Sequence, residues 1–170
     1  MKVTQKQIED MIVSIASKEA LPVYKVLKDK ENVNEFLIAE KLKISINQLR
    51  NIFYAMDSYN LLNSTRKKDR KKGWYIYFWT FNKEQAAKVV VQLKRDQMKK
   101  LQVQLDREKQ HQFYICTNDR TRATIENAME NSFLCGECGN LLMPDDNGKS
   151  IKRISKEIEE IHTEVMKIEA

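Results

Sequence analysis

Residues 61–81 read LLNSTRKKDRKKGWYIYFWTF, and how this stretch folds decides how the rest of the chain is read. From Leu61 to Arg66 the apolar spacing shifts toward that of a strand. Trp74 to Phe81 is a run of aromatic and β-branched residues, the kind that pack well on a pleated surface. Between them, Arg66 to Gly73 forms a charged loop. Its six cations (Arg66, Lys67, Lys68, Arg70, Lys71, Lys72) against Asp69 leave a local charge of +5. A hairpin tip so charged suits a phosphate backbone or an acidic protein surface, and the alternative is a solvated turn with no partner. Pleating places Trp74, Ile76 and Phe78 on one face and Tyr75, Tyr77, Trp79 and Phe81 on the other. A small domain needs only one face of such a strand for its core. The other aromatic set must cover the following helix, a partner's surface, or unpaired bases stacked on the rings.

The residues before this hairpin read as helices. Thr4 to Ala16 opens on a capping-box pair, Thr4 and Gln7, and carries Ile8, Met11, Ile12 and Ile15 on one face. Pro22 is expected to open a second, short helix with Val23, Val26 and Leu27 inward. Asn34 to Leu42 is a third. It stops at Lys43-Ile44, and Ser45, paired with Gln48, starts a fourth whose buried face is Leu49, Ile52, Phe53 and Met56. Two helices joined by so short a turn have helix-turn-helix spacing. Helix, helix, turn, helix, strand, basic loop, strand is the order of a winged helix-turn-helix domain over residues 1–82. The helix in the recognition position, Ser45 to Ser58, presents Asn47, Gln48, Arg50, Asn51 and Tyr54 outward with a single cation. That is a weak set for reading a major groove, although it leaves sequence-specific reading open.

Beyond the hairpin, residues 82–112 contain neither Gly nor Pro. Ala86, Val90, Leu93, Met98, Leu101 and Leu105 recur at helical steps, which predicts a long connecting helix over 83–112. A Cys-bearing module follows over 113–148. Residues 149–170 form a C-terminal amphipathic helix whose seam is Ile151, Ile154, Ile158, Ile161, Val165 and Ile168. So short a heptad run needs a partner, either the long helix or another chain. The fold class is therefore mainly α with small β.

The module has the frame C-x2-D-x15-C-x2-C: Cys116, Asp119, Cys135 and Cys138. The second half, Cys135-Gly136-Glu137-Cys138-Gly139, is a knuckle that lets two thiolates converge on a tetrahedral ion, with Gly139 relieving the backbone. In the first half Asp119 stands where a second Cys belongs. Asp119 supplies the fourth ligand, or His111 or a water does, or the metal is lost and packing alone holds the module. About 36 residues offer too small a core to fold readily without a metal or docking. Glu126, Glu130 and Glu137 are available as acid or base, but nothing orients them for catalysis.

The chain has 170 residues, a formal net charge of +6, 42% hydrophobic and 32% charged residues, four glycines and two prolines. Such a composition allows real cores and long helices with solvated faces, and the positive balance favours polyanionic partners unless the charge is diffuse. Three cysteines, an odd number, argue against a disulfide scaffold. No apolar run approaches the ~18 residues of a membrane span. No apolar leader follows Met1-Lys2-Val3-Thr4-Gln5. The expectation is a soluble, cytoplasmic, nucleoid-associated protein with no membrane partner. His111 and His162 lie in polar helical contexts. No phosphate-cradling glycine loop, nucleophile elbow or HExxH occurs, so no enzyme and no small-molecule substrate is expected.

These residues carry a resemblance. The helix-turn-helix followed by GWYIYFWTF, the long polar helix, and FYIC…IENAMENSFLCGECGNLLMPDDN are similar to archaeal transcription factor E, the counterpart of the alpha subunit of general transcription factor IIE. The resemblance covers about residues 4–150. It implies a general initiation factor that docks on the clamp region of RNA polymerase and favours promoter opening. It also implies contact with promoter DNA near the upstream bubble edge and with promoter-bound basal factors, and in some lineages a beta partner subunit. On this sequence the contacts fall on Arg66, Lys67, Lys68, Arg70, Lys71, Lys72, Trp74, Tyr75, Tyr77 and Trp79. One zinc ion falls on Cys116, Cys135, Cys138 and Asp119, where the family carries four cysteines. The competing readings are a homodimeric, sequence-specific winged-helix regulator and a zinc-dependent nucleic-acid enzyme.

Overall fold

Side-chain caps fix the first helices. In the computed structural model, which describes residues 2–68, 70 and 73–170, helix α1 (Gln5–Ala16) begins at Thr4. Its hydroxyl accepts from the Gln7 N–H at 3.3 Å while the Gln7 side chain accepts from the Thr4 N–H at 2.9 Å. Helix α2 (Ala20–Leu27), the short strand β1 (Val33–Asn34), helix α3 (Glu35–Leu42) and helix α4 (Ile46–Asp57) follow. Asn34 caps α3 through the Phe36 N–H, and Ser45 with Gln48 repeats the reciprocal box at α4. The turn between α3 and α4 closes without glycine. Lys43 takes the left-handed conformation at φ 54°, and Ile44 N–H returns to the Ala39 carbonyl at 3.1 Å, satisfying a carbonyl the helix end leaves open.

Two expectations need correction, and one element was missed. Helix α2 begins at Ala20 rather than at Pro22. Pro22 is tolerated inside its first turn because N–H groups there have no intrahelical acceptor. Strand β2 (Leu62–Lys68) runs on through Arg66, Lys67 and Lys68 instead of giving way to loop at Arg66. Strand β1 was not legible, since a two-residue strand has no period. Met1, Asp69, Lys71 and Lys72 lie outside the described residues.

The described residues are mainly helical, with two small antiparallel sheets among them. The chain divides into one unit running to Leu93 together with Lys167–Ala170, and a second, Lys94–Met166. In the first unit β2 and β3 (Tyr75–Phe81) pair in register, Leu62 opposite Phe81 and Arg66 opposite Tyr77, with β1 on the other side of β3. Met11, Ile12, Val23, Leu27, Ile38, Leu49, Phe53 and Met56 bury the inner helix faces, and Ala86 to Val91 of helix α5 (Lys83–Gln110) contribute Ala86, Ala87, Val89, Val90 and Val91. Among the described residues no helix is long and apolar enough to cross a membrane.

In the second unit the cluster around the Cys-bearing turns is small: Cys116, Ala128, Cys135 and Leu142, with Tyr114, Ala123 and Phe133 against them. Its sheet runs β5–β4–β6, with β4 at Phe113–Cys116, β5 at Arg122–Thr124 and β6 at Leu142–Pro144; helix α6 is Ile125–Glu130 and helix α7 is Gly148–Glu169. Charge-assisted bonds tie this sheet to α5. Glu108, 6% exposed, accepts both guanidinium arms of Arg122 at 2.9 and 3.1 Å; Arg122 also reaches Asp145 at 2.7 Å and lies 4.4 Å from the Phe113 ring centre. Asn147 donates to the Glu108 carbonyl. Helix α7 lies along α5, Lys94 pairing with Glu164 and Gln97 donating to Glu157, and Ile154, Ile161 and Val165 of its seam are buried.

The Arg122 hydrogen bonds, with Arg122 charge and Asn147 adding, hold the Glu108 carboxyl below its ordinary range against the opposing effect of burial. A depressed carboxylate contributes stability above its unfolded pKa and loses it as pH falls through the folded value. Arg122→Ala strands that carboxylate and should cost about 3 kcal/mol in denaturant unfolding at neutral pH, with the deficit shrinking as pH falls below ~4. Equal stability of the two proteins at pH 7 would show that the pair does not dock the module.

Candidate metal centre and interaction surface

The two halves of the Cys module fold into the same turn. In the first, Cys116 N–H donates to the Thr121 carbonyl at 2.9 Å and Arg120 N–H to the Cys116 carbonyl at 3.1 Å; in the second, Cys135 N–H donates to Asn140 at 2.8 Å and Gly139 N–H to Cys135 at 2.8 Å. Arg120 and Gly139 occupy equivalent left-handed positions, φ 65° and 71°. The backbone N–H groups of Asp119 and Asn118 favour the thiolate of Cys116, and those of Glu137 and Cys138 act the same way on Cys135. By this match Asp119 stands in its turn where Cys138 stands in the other.

The side chains converge accordingly. One donor atom from each of Cys116, Asp119, Cys135 and Cys138 lies within 4.8 Å of the others. Cys116 Sγ is 3.5 Å from Cys138 Sγ, and Cys135 Sγ is 3.0 Å from Asp119 Oδ2. A tetrahedral ion with metal–sulfur bonds of about 2.3 Å and a metal–oxygen bond of about 2 Å needs donors roughly 3.5–3.8 Å apart. The Cys116–Cys138 and Cys135–Asp119 separations lie near or just inside that range, and no pair of the four donors is more than 4.8 Å apart. Asp119 Oδ1 accepts from Thr121 N–H at 2.8 Å, which turns Oδ2 toward the sulfurs. The Cys135 thiol and that N–H hold the Asp119 carboxyl well below the usual carboxylate range, and the carboxylate in turn pushes the Cys135 thiol up to about 11. His111 is not among the converging groups, and neither are Glu126, Glu130 and Glu137. His111 instead packs edge-on 6.4 Å from the Phe113 ring centre. The donor set can therefore hold a metal by geometry, with no oriented acid or base beside it.

The β2–β3 hairpin divides along its length. At the base, Leu62, Trp79 and Phe81 are buried, and Trp79, 8% exposed, lies 4.4 Å from Phe53 between ring centres. Toward the tip the same face emerges. Tyr77 stacks on Trp79, Tyr75 is 48% exposed, and the Arg66 guanidinium lies 4.8 Å from the Tyr75 ring centre. On the other face Lys67 lies over Phe78 at 5.4 Å, and Trp74 is 52% exposed. Lys68 stands opposite Tyr75, and Arg70 is exposed in the turn. The hairpin thus brings Arg66, Lys67, Lys68, Trp74, Tyr75 and Tyr77 to one outer segment. It places Trp79 in the core, where its ring supports Tyr77 and offers no outer surface. Lys71 and Lys72 lie outside the described residues.

The pairing of Arg50 was not legible in the sequence. Arg50 on α4 donates to Glu35 through Nε at 3.2 Å and Nη2 at 2.8 Å, and Glu35 is fully buried at the start of α3. Gln48 serves the Ser45 cap. A neighbouring Glu at a helix start was the only available signal, and spacing of 15 residues hides such a pair from any local pattern.

Comparison with known proteins places these features in a family. The TFIIE alpha subunit family matches residues 6–110. Transcription factor E of Metallosphaera sedula is 32% identical over 159 residues, 93% of this chain and 90% of that protein. The protein of the same name from Cenarchaeum symbiosum is 35% identical over 150 residues, 88% of each chain, and that from Thermococcus kodakarensis 30% over 161 residues, 94% of this chain and 87% of the other. With a matched region spanning α1 to the end of α5, and relatives aligned through the Cys module as well, the chain belongs to the TFIIE alpha subunit family, whose members are transcription factors and not enzymes.

Proposed function

We propose that this transcription initiation factor binds RNA polymerase in the pre-initiation complex, at the clamp region, and favours promoter opening and open-complex stability. The observation that carries the reading is the hairpin. Its base is locked in the core, while its tip presents cations laid on aromatic rings. On this reading residues 1–82 are a winged helix, 83–112 a connecting helix, 113–148 a zinc ribbon and 149–170 a C-terminal helix. The contacts are Arg66, Lys67, Lys68 and Arg70, continued by Lys71 and Lys72, with Trp74, Tyr75 and Tyr77. Their partners are polymerase, promoter DNA near the upstream bubble edge and promoter-bound basal factors, with a beta subunit docking on the winged helix where a lineage has one. The protein acts in the cytoplasm, at the nucleoid.

The factor performs no bond chemistry. Tighter contact with the open complex than with the closed one shifts the equilibrium by that difference in affinity, and about 1.4 kcal/mol gives a tenfold shift. A sequence-specific regulator fits less well. Arg50, the single cation on α4, is engaged by buried Glu35, and Gln48 by its cap, leaving Asn47, Asn51 and Tyr54 to face a groove. One zinc ion belongs with Cys116, Cys135, Cys138 and Asp119. It would supply a cross-link between the two turns, in a module whose own apolar cluster is small.

Two experiments test this reading. Charge reversal at Lys67, Lys68 and Arg70 should weaken polymerase binding by at least about tenfold, a loss of ~1.4 kcal/mol, and flatten its salt dependence. Unchanged affinity and salt slope would remove the hairpin from the interface. Elemental analysis of purified protein should find about one zinc per chain, falling on Cys135→Ser substitution; zinc far below one equivalent contradicts the metal assignment.

A further inference from the structure

Helix α7 carries a second pattern on the face opposite its apolar seam. Lys149, Lys152, Arg153 and Lys156 recur at steps of 3, 1 and 3 residues, which keeps them on one helical face, and all four are exposed. Lys156 lies 3.6 Å from Glu160; among the described residues no carboxylate pairs with Lys149, Lys152 or Arg153. Glu157 lies near the middle of the helix, and Glu159, Glu160, Glu164 and Glu169 lie in its second half.

This gradient runs against the helix itself. A helix favours anions near its first turn and cations near its last. Here the first turn contains no acidic residue, and three unpaired cations sit in its first six positions; Asp146, which accepts from Gly148 N–H at 3.0 Å, lies just before it. The Lys156–Glu160 pair also has the less favourable order, cation before anion. Neither the fold nor the apolar seam requires this placement, since Ile154, Ile161 and Val165 pack from the other face. Local rules broken without a structural return are a mark of a binding surface.

We propose that Lys149, Lys152, Arg153 and Lys156 form a second nucleic-acid contact, which takes the phosphate backbone of duplex DNA without reading its sequence. Charge complementarity selects the occupant. Unpaired cations in an exposed row suit a regular polyanion, and the stripe has no apolar or aromatic residue on its face with which to fill a protein pocket or stack on unpaired bases. The row shares no residue with the hairpin contacts. It rests on the reading above only in taking promoter DNA as the polyanion within reach.

The test is a fluorescence-anisotropy titration of the full chain with a labelled duplex of mixed sequence, repeated between about 50 and 200 mM salt. The variant carries Lys149→Glu, Lys152→Glu and Arg153→Glu. Its affinity should fall at least tenfold, and the slope of log K against log salt should become shallower by about 2.7, three contacts at ~0.9 each. Its thermal midpoint should hold or rise, because the substitutions suit the helix dipole. The charge-conserving variant Lys149→Arg, Lys152→Arg, Arg153→Lys should bind as the parent does. A control with the same net charge, Lys6→Glu, Lys18→Glu and Lys25→Glu, should bind duplex better than the α7 variant. Unchanged affinity and slope in the α7 variant, or an equal loss in the control, overturns the proposal. So does a loss of affinity accompanied by a lowered midpoint, which makes the residues structural. No polymerase is present in the titration, so failure here leaves the hairpin reading standing.

Discussion

The two-residue pleat of the β2–β3 hairpin is the constraint on which the outer surface of the first unit depends. Register pairs Leu62 with Phe81, Ser64 with Trp79, Arg66 with Tyr77 and Lys68 with Tyr75, and all eight side chains share one face. The lower pairs are held in the core by Phe53 and Tyr24, whose rings meet Trp79 and Phe81 at 4.4 and 5.0 Å. Because the base cannot slip without turning every side chain over, the upper pairs are obliged to emerge as cations and aromatic rings. The tip's composition is therefore carried on a ribbon whose base is fixed in register.

The second unit solves a different problem. The cluster of Cys116, Ala128, Cys135 and Leu142 around its Cys-bearing turns is too small to organise a three-stranded sheet by burial alone. Two kinds of polar constraint stand in for it. The matched turns at Cys116 and Cys135 present four donors to one point, and the Glu108–Arg122–Asp145 network fastens the sheet to α5. The Asp119 carboxylate is aimed by Thr121 N–H, so the substitution of oxygen for sulfur leaves the turn's backbone unchanged.

Much of this was legible from local pattern. Both capping boxes, the helix-turn-helix spacing, the aromatic alternation of β3 and the C-x2-D-x15-C-x2-C frame all depend on near neighbours, and the structure has them where their spacing puts them. What the sequence concealed depends on contacts far apart in the chain. Arg50 looked outward until Glu35, 15 residues earlier, claimed it, and Arg122 gave no sign of its role between Glu108 and Asp145. Trp79 shared the pattern of Tyr75 and Tyr77, since alternation fixes the face of a strand but not the depth at which that face passes from core to solvent. The start of α2 was misplaced because proline marks a first turn without marking which residue of it.

Taken together, the fold joins a cation-bearing hairpin to a cysteine module in a family of transcription factors, with no oriented catalytic group among the described residues. On the proposed function, binding alone shifts a promoter from closed to open. The direct measurement is the chemical reactivity of unpaired thymines at a weak promoter, in a reconstituted system of polymerase and basal factors, with and without this protein. More reactive thymines are expected in the bubble when the protein is present, on promoters that share no operator sequence. Opening that is unchanged by the protein, or enhanced only where a particular palindrome is present, contradicts it.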